Sequence, residues 1–329
     1  MLKIGVLGVG HLGKIHLKCI QLASQHYELV GFYDPNDEMA QKVVEQYQIK
    51  RFEQLEELIQ AVDVVDIVTP TITHFNLASK VIEAGKHIFI EKPVTHTLEE
   101  AKQLVEKANA KGIKIQVGHV ERFNPALLAL EGSVINPMFI EAHRLAVFNP
   151  RGTDVSVILD LMIHDLDIIL SMVNSEVSVV SASGVAVVSD TPDIANARIE
   201  FENGCVANLT TSRISMKQMR KVRLFQKDAY ISLDFLDKQA QVVRLYEEEN
   251  KPETDNILEL HTQNGVKYIH MNAPEIQPVN AIKMELETFA ESIQNDTRPK
   301  VSVEDGYKAL KLAYMIIDEI KGRNANLVI

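Results

Sequence analysis

Apolar residues in the first third of the chain come in short, nearly continuous runs rich in Val, Ile and Leu, at 3–7, 29–33, 64–69, 87–90 and 114–117. Strands buried on both faces read this way. Between them the pattern switches to helical spacing, at 11–24, 36–47, 54–60, 74–84 and 98–110. The alternation predicts βαβ units and an α/β domain, a Rossmann-type doubly wound parallel sheet, over residues 1–120. Beyond residue 121 one helical stretch, 157–172, precedes six β-type runs at 177–188, 195–201, 206–212, 221–225, 229–234 and 241–246. Strands without intervening helices predict a second, α+β domain over 121–329, with a largely antiparallel, open-faced sheet. A polar tract at 247–279 holds one short strand, 266–270. Two amphipathic helices, 280–293 and 303–321, close the chain, the last free to pack back on the first domain.

Composition narrows the function classes. The net charge of −11 argues against non-specific binding to nucleic acid or an anionic membrane, leaving room for a local basic patch around one small anion. Two cysteines are too few for a disulfide scaffold, and no apolar run approaches the ~18–20 residues of a membrane span. The first eight residues carry one charge and a very short apolar run, unlike a secretory signal, so a cytoplasmic location is expected.

The first candidate chemistry is Gly8-Val9-Gly10-His11-Leu12-Gly13, which follows a predicted strand and opens a predicted helix. Glycines there permit a tight turn and close approach of backbone to a pyrophosphate, and the helix start offers unpaired N–H groups to it. Asp34 ends the second predicted strand, 21 residues after Gly13. A carboxylate in that place accepts from ribose hydroxyls and repels a 2′-phosphate, which favours NAD over NADP. Val68-Thr69-Pro70-Thr71 closes the next strand at the carboxyl edge of the sheet, with Thr73 and His74 near enough to line it. His74 reads equally as a cofactor contact or as a polar helix-start residue.

Glu91-Lys92-Pro93 follows the fourth strand at the same edge, where Lys92 could donate to a substrate hydroxyl or developing alkoxide. In the apolar stretch 157–172, Asp160, His164 and Asp167 fall on one stripe of an ideal helix. A histidine flanked by carboxylates suits a general base. The same groups could instead be a structural His–Asp pair, and a metal site lacks a third ligand at convincing spacing, so no metal is expected. His119 and Arg122 lie where the two domains join, and Arg144, Arg151, Arg213 and Arg220 lie in the second domain. Guanidinium forks there suit a diphosphate-bearing substrate.

Taken together, the glycine loop, Thr69-Pro70, Glu91-Lys92-Pro93, Asp160-x-x-x-His164-x-x-Asp167 and the closing Val301–Leu310 segment resemble the Gfo/Idh/MocA oxidoreductase family along essentially the whole chain. The resemblance implies an NAD-dependent dehydrogenase with Lys92, Asp160 and His164 as its catalytic group and Pro93 shaping the nicotinamide site. It extends the cofactor contacts to Glu91, and it implies a homodimer or homotetramer. Gly118-His119-Val120-Glu121-Arg122-Phe123-Asn124-Pro125 and the Asp160–Asp167 stretch look like the family's UDP-N-acetylglucosamine 3-dehydrogenase branch. This implies a nucleotide-sugar substrate contacted by His119, Arg122, Arg144, Arg151 and Asp167. Val157-Ile158-Leu159 stands where many sugar dehydrogenases of the family carry Gly-Gly. A free sugar, polyol or sugar phosphate is the alternative substrate, and a non-catalytic NAD-binding regulator the alternative class.

Overall fold

The computed structural model describes residues 1–149, 155–254, 257–263 and 265–325. In the first half of the chain, β1 (Leu2–Leu7), α1 (His11–Leu22), β2 (Tyr27–Tyr33), α2 (Asp37–Tyr47), α3 (Leu55–Ala61), β3 (Val64–Ile67), α4 (His74–Glu83), β4 (His87–Glu91), α5 (Leu98–Lys111) and β5 (Ile115–Gly118) alternate as expected. The five strands pair in parallel in the order β2-β1-β3-β4-β5. Every residue of β3 and β5 is buried, which explains their largely apolar character, with Asp66 and Gln116 the buried polar exceptions. Helix starts are set by short polar side chains: Asn36 accepts from Met39 N ahead of α2, and Thr97 with Glu100 forms a capping box on α5.

The second half holds α6 (Pro125–Leu128), β6 (Phe139–Leu145), a π-helical turn (Ile158–Met162) that runs into α7 (Ile163–Met172), and then β7 (Val177–Val185), β8 (Ile194–Phe201), β9 (Val206–Ser212), β10 (Met219–Gln226), β11 (Ala229–Asp234), β12 (Gln239–Tyr246), β13 (Ile257–Thr262) and β14 (Gly265–Asn272). Nine strands form one sheet, ordered β13-β14-β12-β11-β10-β6-β9-β8-β7. β6 runs parallel to β9, and the other pairs are antiparallel. Alternate strand residues such as Ile140, Ala142, Ala197, Leu209, Leu224 and Ile231 form a core with Leu166, Ile168 and Ile169 of α7.

The chain ends in α8 (Ala281–Gln294) and α9 (Val303–Ala325). It divides into two compact units, Met1–Phe123 with Asn280–Lys311 and Asn124–Val279 with Leu312–Ile329. Residues 280–311, expected in the second domain, therefore belong to the first unit, because α8 completes its core: Leu286, Phe289 and Ala290 join Leu17, Ile20 and Phe89. Tyr27 Oη donates to Leu286 O at 2.9 Å and the Gln116 amide to Glu285 O at 2.6 Å. The rest of α9 serves the other unit, with Leu312, Ala313, Ile316 and Ile320 in its core. Among the described residues no helix is long and apolar enough to cross a membrane.

Candidate cofactor site

The sharp turn from β1 into α1 depends on two glycines. Gly8 has φ of +88°, and a Cβ on it would meet Val68 O at 2.8 Å. A Cβ on Gly13 would meet Gly8 O at 2.1 Å, so α1 can approach the loop only without a side chain there. Above Gly10 nothing lies within 4 Å of a built Cβ, and no side chain caps the first turn of α1. The helix start thus offers open N–H donors with the positive end of its dipole behind them.

Asp34, buried just past β2, accepts from Val9 N and Asn36 N, each at 2.9 Å. These bonds hold one carboxylate against both the glycine loop and the start of α2. Arg51 reaches the Asp34 carbonyl at 3.4 Å and pairs with Asp37, and that bond chiefly raises its pKa.

A cavity of about 730 Å³ opens along this carboxyl edge. Gly8, Gly10, His11, Leu12, Asp34, Thr69, Pro70, Glu91 and Lys92 line it, all anticipated from sequence. Thr73, also expected at this edge, lines it too, as do Tyr33, Met39 and Leu77, which carry no motif that would have revealed them. Gly13, His74 and Pro93 stand behind the lining. His74 is buried between two carbonyls, Nδ1 3.0 Å from Pro93 O and Nε2 2.9 Å from Thr69 O. It links the turn after β3 to the turn after β4, where the Lys92–Pro93 peptide is cis. Burial pushes its pKa down, against the pull of the two carbonyls.

Beneath the cavity lies a cluster that sequence reading missed. His16, on the sheet side of α1, places Nδ1 2.9 Å from Asp66 Oδ2 and Nε2 3.1 Å from Glu91 Oε1. His16 and Asp66 are fully buried. Burial opposes the imidazolium, but the charges and hydrogen bonds of Asp66 and then Glu91 outweigh it and hold the His16 pKa well above the ordinary value. The available signal was an aspartate inside the apolar run Val64-Val65-Asp66-Ile67, which an interior strand tolerates only with a partner. His119 is also buried and Arg122 half-buried, and both belong to this unit.

In the second unit, Asp160 sits in the π turn and His164 in the first turn of α7, both half-buried, with Asp167 buried one turn on. π turns inside helices are frequent at functional positions. Arg144 of β6 is buried and forks onto Asp165 of α7, Nε to Oδ2 at 3.0 Å and Nη2 to Oδ1 at 2.7 Å. This buried pair, not an exposed phosphate fork, accounts for those two donors. Arg213, also buried, donates to Val155 O just ahead of the π turn. Arg151 lies outside the described residues.

Comparison with known proteins agrees with this geometry. Residues 2–119 match the oxidoreductase family with NAD-binding Rossmann fold, and residues 137–231 match the GFO/IDH/MocA C-terminal domain. The UDP-N-acetylglucosamine 3-dehydrogenase of Acidithiobacillus ferrooxidans is 42% identical over 237 residues, 72% of this chain and 75% of that protein. Its solved structure superposes with a TM-score of 0.86 at 34% identity, covering 98% of both chains. The scyllo-inositol 2-dehydrogenase (NAD(+)) of Bacillus subtilis is 32% identical over 65% of this chain and 68% of its own. The chain belongs to the Gfo/Idh/MocA family of oxidoreductases.

Proposed function

We propose that the protein is an NAD-dependent dehydrogenase that oxidises a sugar hydroxyl, acting on a UDP-N-acetylhexosamine and converting its 3-hydroxyl to a 3-keto group. The observation that carries this reading is the cavity of the first unit. It joins an open helix start, a held carboxylate and the Glu91–Lys92 turn in one continuous space. The likeness to a UDP-N-acetylglucosamine 3-dehydrogenase along 98% of both chains supports the substrate.

Gly8, Gly10, His11, Leu12 and Gly13 would hold the cofactor diphosphate. Asp34 would accept from the adenosine ribose and repel a 2′-phosphate, selecting NAD over NADP. The remaining stretch of the cavity, over β3 and β4, would take the nicotinamide end beside Thr69, Pro70, Glu91 and Lys92, with Pro93 behind. NAD, when bound, supplies the carbon that accepts hydride. His164 removes the hydroxyl proton as the C–H bond gives up its electron pair, and Lys92 donates to the oxygen while charge develops there. Asp160 orients the imidazole, and His119, Arg122 and Asp167 contact the sugar. These roles rest on the motif resemblance. The open face of the nine-stranded sheet is assigned to a homodimer or homotetramer contact.

The test is nicotinamide absorbance with NAD and UDP-N-acetylglucosamine, in the presence of a reagent that traps the ketone. NADH formation that falls roughly 10²–10⁴-fold in His164→Ala, with NAD binding kept, supports the assignment. Turnover of inositol or free hexoses and none of UDP-sugars would move the substrate to the polyol class. NAD binding without turnover of any hydroxyl compound would leave a regulatory protein.

A further inference from the structure

Among the described residues Glu91 is the one carboxylate in the cavity wall at the Lys92 end, and its position is fixed from several sides. His16 stands 3.1 Å from Oε1, and Lys92 N donates to Oε2 at 3.3 Å. On the β5 side there is room only for Gly118, since a Cβ there would meet Oε1 at 2.7 Å. His16 is itself immobilised by Asp66 on its other ring nitrogen and packs edge-on to Phe89, with ring centroids 5.6 Å apart. The pair contributes nothing to the cavity surface, and two buried ionisable groups behind a site are costly unless they serve it.

We propose that His16 is a positioning residue: anchored by Asp66, it fixes the Glu91 carboxylate in the wall of the dinucleotide cavity, and that fixed charge biases the site toward the oxidised cofactor. The oxidised nicotinamide ring is cationic and the reduced ring neutral, so an anion held near that end stabilises NAD⁺ relative to NADH. The inference rests on the placement of the nicotinamide end over β3 and β4. It gives Glu91 a role separate from that of Lys92.

The experiment is separate titration of NAD⁺ and NADH into the full-length protein and into His16→Leu, Glu91→Gln and the double variant. Glu91→Gln, which removes the charge, is expected to lower the preference for NAD⁺ over NADH by roughly tenfold, the size of one partly screened charge contact. His16→Leu is expected to lower it by less, because it frees that carboxylate but also removes the imidazolium beside it. The double variant is expected to fall no further than Glu91→Gln alone, because His16 acts through Glu91. His16→Gln, which returns one donor toward Glu91, restores most of the preference. Should His16→Leu fail to fold, Asp66→Asn carries the same comparison by releasing the imidazole from its anchor. Equal weakening of NAD⁺ and NADH in the His16 or Asp66 variant, or additive losses in the double variant, would overturn the proposal and leave His16 structural. Failure of the unaltered protein to bind either nucleotide would instead remove the cofactor reading, and this inference with it.

Discussion

Gly13 and the Gly8 carbonyl oxygen are packed so closely that a methyl group on Gly13 would lie 2.1 Å from that oxygen. Backbone cannot yield as a flexible side chain would, so Gly13→Ala must push α1 away from the loop it abuts. The expected outcome is a stability loss of roughly 1–3 kcal/mol together with much weaker NAD binding. A thermal melt paired with a calorimetric NAD titration checks both. Unchanged NAD affinity would mean that the loop geometry does not set the phosphate site.

Asp34→Ser removes the acceptor that Val9 N and Asn36 N share. A buried donor and a part-buried one lose the carboxylate, and NAD affinity is expected to drop roughly tenfold or more. The ratio of kcat/KM for NADP to that for NAD should rise at the same time. Repulsion of the 2′-phosphate disappears, and Arg51, 3.4 Å from the Asp34 carbonyl, offers it a cation. Paired steady-state assays with the two cofactors decide it, and a ratio that stays put counts against Asp34 as the discriminating group.

Arg144→Met leaves Asp165 buried without the guanidinium that forks onto it. Both side chains are only 4% exposed, so the loss is that of a broken buried pair, roughly 3–5 kcal/mol. Denaturant unfolding measures it directly. A loss near zero, with substrate KM raised instead, would return Arg144 to a substrate-binding role.

The His16 cluster also predicts a pH dependence of stability. The folded state holds the imidazole proton more tightly than the unfolded chain does. Below the unfolded value, near 6.5, both states carry the proton and the full stabilisation is present. As pH rises above it, the unfolded chain loses its proton first, and stability declines until the folded site has deprotonated as well. Urea melts across the neutral to alkaline range should show this decline in the unaltered protein and a flatter profile in His16→Gln.

How much of this was legible in the sequence depended on whether each signal was local. The first five strands announced themselves because burial leaves runs that are mostly apolar, broken in β3 and β5 only by Asp66 and Gln116. Asn36 and Thr97, at the starts of α2 and α5, are short-range signals of the same legible kind. β6 was missed because its alternation Ile140, Ala142, Arg144 puts a charge where an apolar residue is expected, and only the partner Asp165 on another element makes that charge tolerable. β13 was missed for the opposite reason: it is an edge strand with almost no buried side chain, so it carries no alternation to read. The His16–Asp66 pair spans 50 residues and the return of α8 far more. Spacing rules do not reach that far. The π turn at Ile158–Met162 escapes as well, since apolar residues all round give the same pattern for either helix type.

The return of residues 280–311 to the first unit bears on how the protein is made. A ribosome that has released the first 123 residues has delivered all five parallel strands and every cavity-lining side chain. It has not yet delivered Leu286, Phe289 and Ala290, which cover the α1 side of that core. The cofactor-binding unit, although its strands are made before the second unit, therefore completes its packing only after that unit has been made, and until then its unfinished core is a natural target for chaperones. A fragment cut after residue 123 should behave as such a nascent chain does, sticky and short of its final packing.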